Sequence, residues 1–357
     1  MGLPEIRDDL SRLEGYHSPQ VDVDIRLNTN ESPMPPPKEW MEDLNRELLK
    51  VGWNRYPDRM ATQLHRDIAD FHNVDPDMVL AANGSNEILQ SLLLAYGGFG
   101  RKASVFEPTY ALHSHISTLT GTEVIVGECN EDFGIGEETV DSVLMQEPDV
   151  LFLCSPNNPT GVVSTREFVK SIIDKFSEIG TLVVIDEAYG EFSDWTAIDL
   201  IRDGAHIAVT KTFSKTWSMA GVRLGYVVAP EEIVESMKTV LLPYHLDSFK
   251  QIAGSLALRH ISDMHSRVEL LVNERKRIAE KFDSLPVQQW PSGANFILFR
   301  PTPEAKITGE VLWEALLERS VLVRNCSTWP RLEGCLRVTI GTPEENNSFL
   351  EHLEAIL

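Results

Sequence analysis

Apolar residues recur along this chain with two periods. Apolar positions three and four residues apart predict amphipathic helices over 40–51 and over 61–71, where Leu64, Ile68 and Phe71 share one face. Further helices are expected over 87–96, 112–120 and 166–176. Between them lie apolar runs at 78–82, 103–107, 123–126, 150–154, 182–186, 206–210 and 225–229, too short for helices and bounded by turn residues. A strand that is apolar on both faces is buried on both faces. Such strands, mostly separated by helices, predict an α/β unit whose mostly parallel sheet lies between helical layers.

The pattern changes near residue 231. Long helical stretches are expected over 231–240, 247–260 and 264–282, followed by short strands at 296–299, 321–324 and 335–340. This predicts a second, smaller α+β unit. The expected organisation is an N-terminal arm at 1–30, a large domain at 31–250 and a small C-terminal domain at 251–357. The arm leads into NESPMPPPKEW, where prolines fix φ and disfavour helix, so Pro33 to Pro37 form an extended connector.

Length fits this division, since 357 residues exceed what one hydrophobic core usually serves. With 42% hydrophobic and 24% charged residues, the composition is that of a folded globular chain. The 32 Lys and Arg against 54 Asp and Glu leave a net charge of −22, which repels phosphate backbones and anionic membranes. Nucleic-acid and membrane partners are therefore not expected, although a few arginines gathered in a pocket can still hold a small anion. The four cysteines, Cys129, Cys154, Cys326 and Cys335, have neither zinc-site nor disulfide-framework spacing and are read as buried or idle thiols. No metal site is expected. The N-terminus lacks an apolar signal core, and its Met-Gly start lacks the Ser or Thr that a myristoylation signal needs near Arg7. No apolar run reaches the length of a membrane helix. A cytoplasmic protein is expected.

Four strand ends carry candidate chemistry, and strand ends are where open α/β sheets place ligands. Asn83-Gly84-Ser85-Asn86-Glu87 stands between a strand and a helix, where exposed N–H groups and the positive helix end favour phosphate. Ser155-Pro156-Asn157-Asn158-Pro159-Thr160-Gly161 presents asparagine amides between prolines. In Val183-Val184-Ile185-Asp186-Glu187-Ala188-Tyr189 a carboxylate ends a buried apolar strand, so Asp186 needs a cation or several donors. In Thr210-Lys211-Thr212-Phe213-Ser214-Lys215, two hydroxyls (Thr212, Ser214) and the nearby Arg223 flank Lys215. That grouping suits a phosphate beside an imine-forming amine. Each motif alone also reads as an ordinary turn, cap or surface group. Together, the spacing of 28 residues from Asn158 to Asp186, 29 to Lys215 and eight more to Arg223 is far more specific.

In this order and spacing the chain resembles the pyridoxal-phosphate enzymes of the aspartate-aminotransferase fold, fold type I. Within the class-II aminotransferases it is most similar to the histidinol-phosphate aminotransferase family. The strings that carry the resemblance are LNTNESP, NRYPD, NGSNEIL, EPTY, SPNNPTG, DEAYGEF, TFSK with AGVRLGY, ANF, VLVRN and CLRVTIGT. The resemblance implies pyridoxal 5'-phosphate as cofactor and a homodimer with shared sites. It implies transamination of histidinol phosphate with 2-oxoglutarate, by ping-pong kinetics, in histidine biosynthesis. Aromatic amino-acid transamination and threonine-phosphate decarboxylation use similar residues and stand as alternatives. A ligand-sensing regulator of this fold would usually need a DNA-binding domain, for which the chain has no room.

The resemblance also assigns roles. Lys215 matches the Schiff-base lysine, and Asp186 the carboxylate facing the pyridine nitrogen. Asn158 and Tyr189 match the pair that bonds the phenolic oxygen, and Tyr110 the aromatic ring stacked on the pyridine. The phosphate falls to the N–H groups of Ser85 and Asn86 after Gly84, to Thr212, Ser214 and Arg223, and to Tyr56 of a neighbouring subunit. Arg337 matches the grip on the substrate carboxylate, with Arg324 a second positive group near the substrate phosphate. Asn28 and Glu31 belong to an arm that closes over the site. Two positions depart from the family: Met34 stands where an aromatic residue is frequent, and Asn86 where Asp is frequent.

Overall fold

The structure is a computed structural model that describes residues 3–11, 15, 21–202 and 205–357. The Met-Gly start and most of the arm at 12–20 lie outside the described residues. Twelve strands are present among the described residues: β1 (Ile25–Leu27), β2 (Val79–Ala82), β3 (Lys102–Glu107), β4 (Glu123–Glu128), β5 (Val150–Cys154), β6 (Leu182–Asp186), β7 (Ile207–Thr212), β8 (Gly225–Val228), β9 (Val287–Gln289), β10 (Phe296–Pro301), β11 (Val321–Asn325) and β12 (Leu336–Thr339). Seven form a sheet in the order β2-β8-β7-β6-β5-β3-β4. Only β8 runs against the others, pairing antiparallel with both β7 and β2. The expected mostly parallel α/β layer is thus present.

The two-faced strands serve two cores. Val183 and Ile185 of β6 point into one core, while Leu182 and Val184 point into the other. Alternate residues of a strand face opposite sides, so a sheet covered twice needs apolar residues at every position. The helices Lys38–Leu48, Thr62–His72, Arg166–Ser177 and Ser248–Ala257 supply residues to the first core, and Ser85–Tyr96 and Glu231–Lys238 to the second.

A smaller sheet has the order β1-β11-β12-β10-β9. Here the arm's β1 pairs in parallel with β11, Arg26 opposite Leu322, across almost the whole chain length. In its core Phe282, Phe299 and Phe349 pack with their rings tilted or edge-on to one another. The helix Ile261–Phe282 spans the change of core: Met264 packs in the large unit, while Leu271, Ile278 and Phe282 pack in the small one. Residue 251 lies inside Ser248–Ala257, whose Ala253 and Leu256 pack in the large core. The helices Glu137–Leu144, Gly309–Glu318 and Pro343–Ile356 carry patterns that the sequence reading did not single out. All four cysteines are buried and unpaired. No described helix is long and apolar enough to cross a membrane.

The outer edge of β2 is closed by histidines. The Ala81 N–H donates to His65 Nε2 at 3.0 Å, and His245 Nε2 lies 3.0 Å from the Ala81 carbonyl. An edge strand covered this way offers no template for another chain. Burial lowers the pKa of His65 to about 4, and that of His72, beside the Tyr226 hydroxyl, to about 3. The unfolded chain therefore takes up these protons near pH 6.5 while the folded chain does not. Stability should fall as pH drops from about 6.5 towards 4. A His65→Gln/His72→Gln double variant should lose less in apparent melting temperature between pH 7 and pH 5 than the parent; equal losses would contradict this.

Candidate active site

A cavity of about 230 Å³ opens at the carboxyl ends of the parallel strands, between the large sheet and the small unit. Among its lining residues are Asn28, Ser85, Asn86, Tyr110, Asn158, Asp186, Tyr189, Thr212, Ser214, Lys215, Arg223, Arg324 and Arg337. Thirteen of the sixteen residues singled out in the sequence thus meet in one place. Gly84, Glu31 and Tyr56 do not line it.

Asp186 ends β6 and is 1% exposed. Its Oδ1 accepts from Thr210 Oγ1 at 3.2 Å and from the Ala188 N–H at 3.1 Å; its Oδ2 lies 3.0 Å from His113 Nε2. A carboxylate can only accept, so the facing histidine nitrogen donates. His113 is fully buried, stacked parallel on Phe152 at 4.9 Å, and its Nδ1 has no hydrogen-bond partner. The sequence reading missed His113. The one available signal was its place three residues after Tyr110, which puts it on the helix that follows EPTY.

Lys215 follows β7, and its Nζ donates to the Thr29 carbonyl at 3.2 Å. Burial, then the nearby Arg337 and Arg223, lower its pKa to about 7, while Glu31 opposes them. Glu31 itself accepts from Thr29 Oγ1 at 2.8 Å and pairs with Arg26 at 3.6 Å. Tyr189 is buried, and desolvation pushes its hydroxyl up to about 12, so it stays protonated. It accepts from Asn30 Nδ2 at 2.9 Å. Asn30, a second residue missed in sequence, holds φ +56° and bonds Thr339 through both backbone and side chain. Asparagine tolerates that left-handed conformation better than most residues.

Several donors of the cavity wall converge. Gly84 takes φ +86°, and a Cβ there would stand 2.8 Å from Arg223 Nη2. The positive φ favours glycine here, and a side chain would also push the guanidinium aside. The helix Ser85–Tyr96 starts at this turn, so its first N–H groups lack intrahelical partners. Thr212 Oγ1 donates to Ser214 Oγ at 3.0 Å, and Arg223 Nη1 donates to the same oxygen at 3.3 Å.

Two arginines close the small-unit side. Arg324 and Arg337 stand directly opposite each other on β11 and β12. Like charges in that register repel unless an anion lies between or near them. Arg337 is buried; it donates to Asn158 Oδ1 and to the Asn28 carbonyl at 2.9 Å, while its Nε has no partner. Tyr56 is 81% exposed and stacks on Tyr244 at 4.4 Å. Among the described residues no group of His, Cys, Asp and Glu is placed to hold a metal ion.

A buried acid, a cluster of hydroxyl, guanidinium and helix N-terminal donors, and a lysine of lowered pKa on one cavity wall define a pyridoxal-phosphate site of fold type I. The profile of the family described as "Aminotransferase class I and II" matches residues 22–353, and the chain belongs to that family. It is 40% identical over 362 residues to the histidinol-phosphate aminotransferase of Frankia casuarinae, covering 98% of this chain and 89% of that protein. It is 41% identical to the enzyme of the same name from Corynebacterium efficiens, covering 97% and 93%. The structure of a histidinol-phosphate aminotransferase from Sinorhizobium meliloti in complex with pyridoxal-5'-phosphate superposes with a TM-score of 0.85 at 18% identity, covering 94% of this chain and 92% of that one.

In the cofactor-free protein, the Lys215 amine should titrate near pH 7. Competitive labelling with acetic anhydride across pH, read by mass spectrometry, measures this. Arg337→Met should raise the midpoint; an ordinary lysine midpoint in the parent would contradict the assignment.

Proposed function

We propose that this chain is the aminotransferase that exchanges the amino group of histidinol phosphate with 2-oxoglutarate, giving imidazole acetol phosphate and glutamate. The observation that carries the reading is the cavity itself. Its wall carries one buried carboxylate, Asp186, together with the Thr212, Ser214 and Arg223 cluster and Lys215. The two full-length relatives at 40% and 41% identity support the choice of substrate.

Pyridoxal 5'-phosphate fits the donor set. Its phosphate suits the Ser85 and Asn86 N–H groups, Thr212, Ser214 and Arg223. Its ring suits Tyr110, its phenolic oxygen suits Asn158 and the protonated Tyr189, and its ring nitrogen suits Asp186. When bound, the cofactor supplies an aldehyde that captures amino groups and a cationic ring that delocalises the electron pair left by the departing α-proton. Asp186, held by three donors, is the negative charge that keeps the ring nitrogen protonated. Lys215 would hold the cofactor through its Nζ, and the same amine, when free, would carry the substrate's α-proton. An amine with a pKa near 7 can both take and give a proton at neutral pH.

Arg337 presents a guanidinium fork to the carboxylate of 2-oxoglutarate or glutamate. With histidinol phosphate, which has no carboxylate, Arg337 and Arg324 together meet the phosphate. Arg337 thus serves both half-reactions, and Arg324 joins it for the phosphate. Asn28 and Glu31 place the arm over the amine end. Tyr56 reaches the phosphate of a second copy, so the working unit is a homodimer with shared sites. Its support is an exposed apolar surface of Trp53, Tyr56, Leu242 and Tyr244. Four buried, unpaired cysteines suit a reducing compartment, and we place the enzyme in the cytoplasm.

The test is to mix the cofactor-loaded enzyme with single amino donors and follow bleaching of its visible band. Histidinol phosphate and glutamate should bleach it, with phenylalanine at least about tenfold less efficient in kcat/KM. Preference for phenylalanine would make this an aromatic aminotransferase instead. Lys215→Ala should lose at least about a thousandfold in turnover; a near-normal rate would remove Lys215 from the chemistry.

A further inference from the structure

Three aromatic side chains line the cavity: Tyr110, Tyr189 and Trp329. The first two are committed to the cofactor in the reading above. Trp329 is left over. It comes from the loop between β11 and β12, and its ring lies 5.8 Å from the Arg324 guanidinium carbon. A guanidinium over an indole face is attracted to it, most strongly where water is excluded. The indole is therefore placed both to hold Arg324 and to form part of the cavity wall beside it.

The loop that carries Trp329 is built to stay in place. Trp329 packs against a cluster of Phe133, Trp290, Leu298, Cys326, Leu332 and Cys335. Its backbone N–H donates to the Cys326 carbonyl at 2.9 Å, and its backbone carbonyl accepts from the Leu332 N–H at 3.1 Å. Two residues on, Arg331 reaches across to the large unit and donates to the carbonyls of Cys129 and Asn130. The loop that carries the tryptophan is thus bonded to the large unit as well as packed in the small one. Met34, the connector residue at the family's usual aromatic position, packs instead against the small-unit core and does not line the cavity.

We propose that Trp329 is a specificity-determining residue that gives the flat heteroaromatic ring of the amino donor an apolar wall while holding Arg324 towards the donor's phosphate. The inference rests on the proposed function, because it needs a donor with a planar ring and an anionic ester. Histidinol phosphate has both. Glutamate has neither, yet must use the same cavity in the other half-reaction. Trp329 therefore separates the two substrates: its loss weakens the donor with a ring and leaves the dicarboxylic acid less affected.

The experiment compares cofactor-loaded parent, Trp329→Ala, Trp329→Phe, Arg324→Ala and the Trp329→Ala/Arg324→Ala pair in single half-reactions. Trp329→Ala should lower kcat/KM for histidinol phosphate by roughly ten- to a hundredfold, mainly through KM, and by at least about tenfold more than for glutamate. Trp329→Phe should recover most of that loss. Because the indole acts partly through Arg324, the paired variant should lose clearly less than the product of the two single losses. The visible band of the bound cofactor should be unchanged in each variant, which reports an intact site independently of rate. Equal losses with both substrates and no rescue by Phe would mark a merely structural residue and overturn the proposal, as would strictly multiplicative losses. A parent enzyme inert to histidinol phosphate but active with glutamate would remove the functional reading and this assignment with it.

Discussion

A carboxylate inside a protein costs several kcal/mol of lost hydration unless its lone pairs are met. Asp186 meets that cost with donors from three places in the chain: a hydroxyl on β7, a backbone N–H just beyond β6, and His113 on the helix after EPTY. Each is fixed by an element packed elsewhere. β6 and β7 are held in parallel register, Asp186 opposite Thr210, and His113 is clamped flat on Phe152 of β5. The sheet order therefore has a chemical consequence. Moving β6 or β7 by one residue would turn Asp186 or Thr210 to the other face.

The rest of the site is arranged around that anion. The chain carries a net charge of −22, yet its cavity gathers Lys215, Arg223, Arg324 and Arg337. The acidic exterior deters polyanions, while the pocket accepts small ones. The same concentration of cations, added to burial, lowers the Lys215 pKa into the range where an amine can both take and give a proton. Anion binding and proton transfer thus share one electrostatic origin. Arg337 links them, since it lies near Lys215, donates to Asn158, and stands opposite Arg324.

Much of this was legible in the sequence. Strands apolar on both faces announced a covered parallel sheet, and turn-rich strings at their ends announced the site. The residues that escaped are those whose roles depend on distant partners. His113 sits in an ordinary helical pattern, and nothing local says that Asp186, 73 positions later, waits above it. Asn30 lies in a quoted string, but its bond to Tyr189 is set by folding the arm back on residues far along the chain. β1 is three residues long and finds β11 only in three dimensions. The helix Ile261–Phe282 shows one continuous helical pattern although its two halves face different cores. Trp329, in a loop without periodicity, carried no local signal at all.

On the proposed function, Asp186 holds the cofactor's ring nitrogen in its protonated state. That state can be read directly by loading the enzyme with pyridoxal phosphate labelled with nitrogen-15 in the ring and recording its NMR shift at neutral pH. A pyridinium shift is expected in the parent and a neutral-pyridine shift in Asp186→Ala. A neutral-pyridine shift in the parent, or the same pyridinium shift in both, would contradict it.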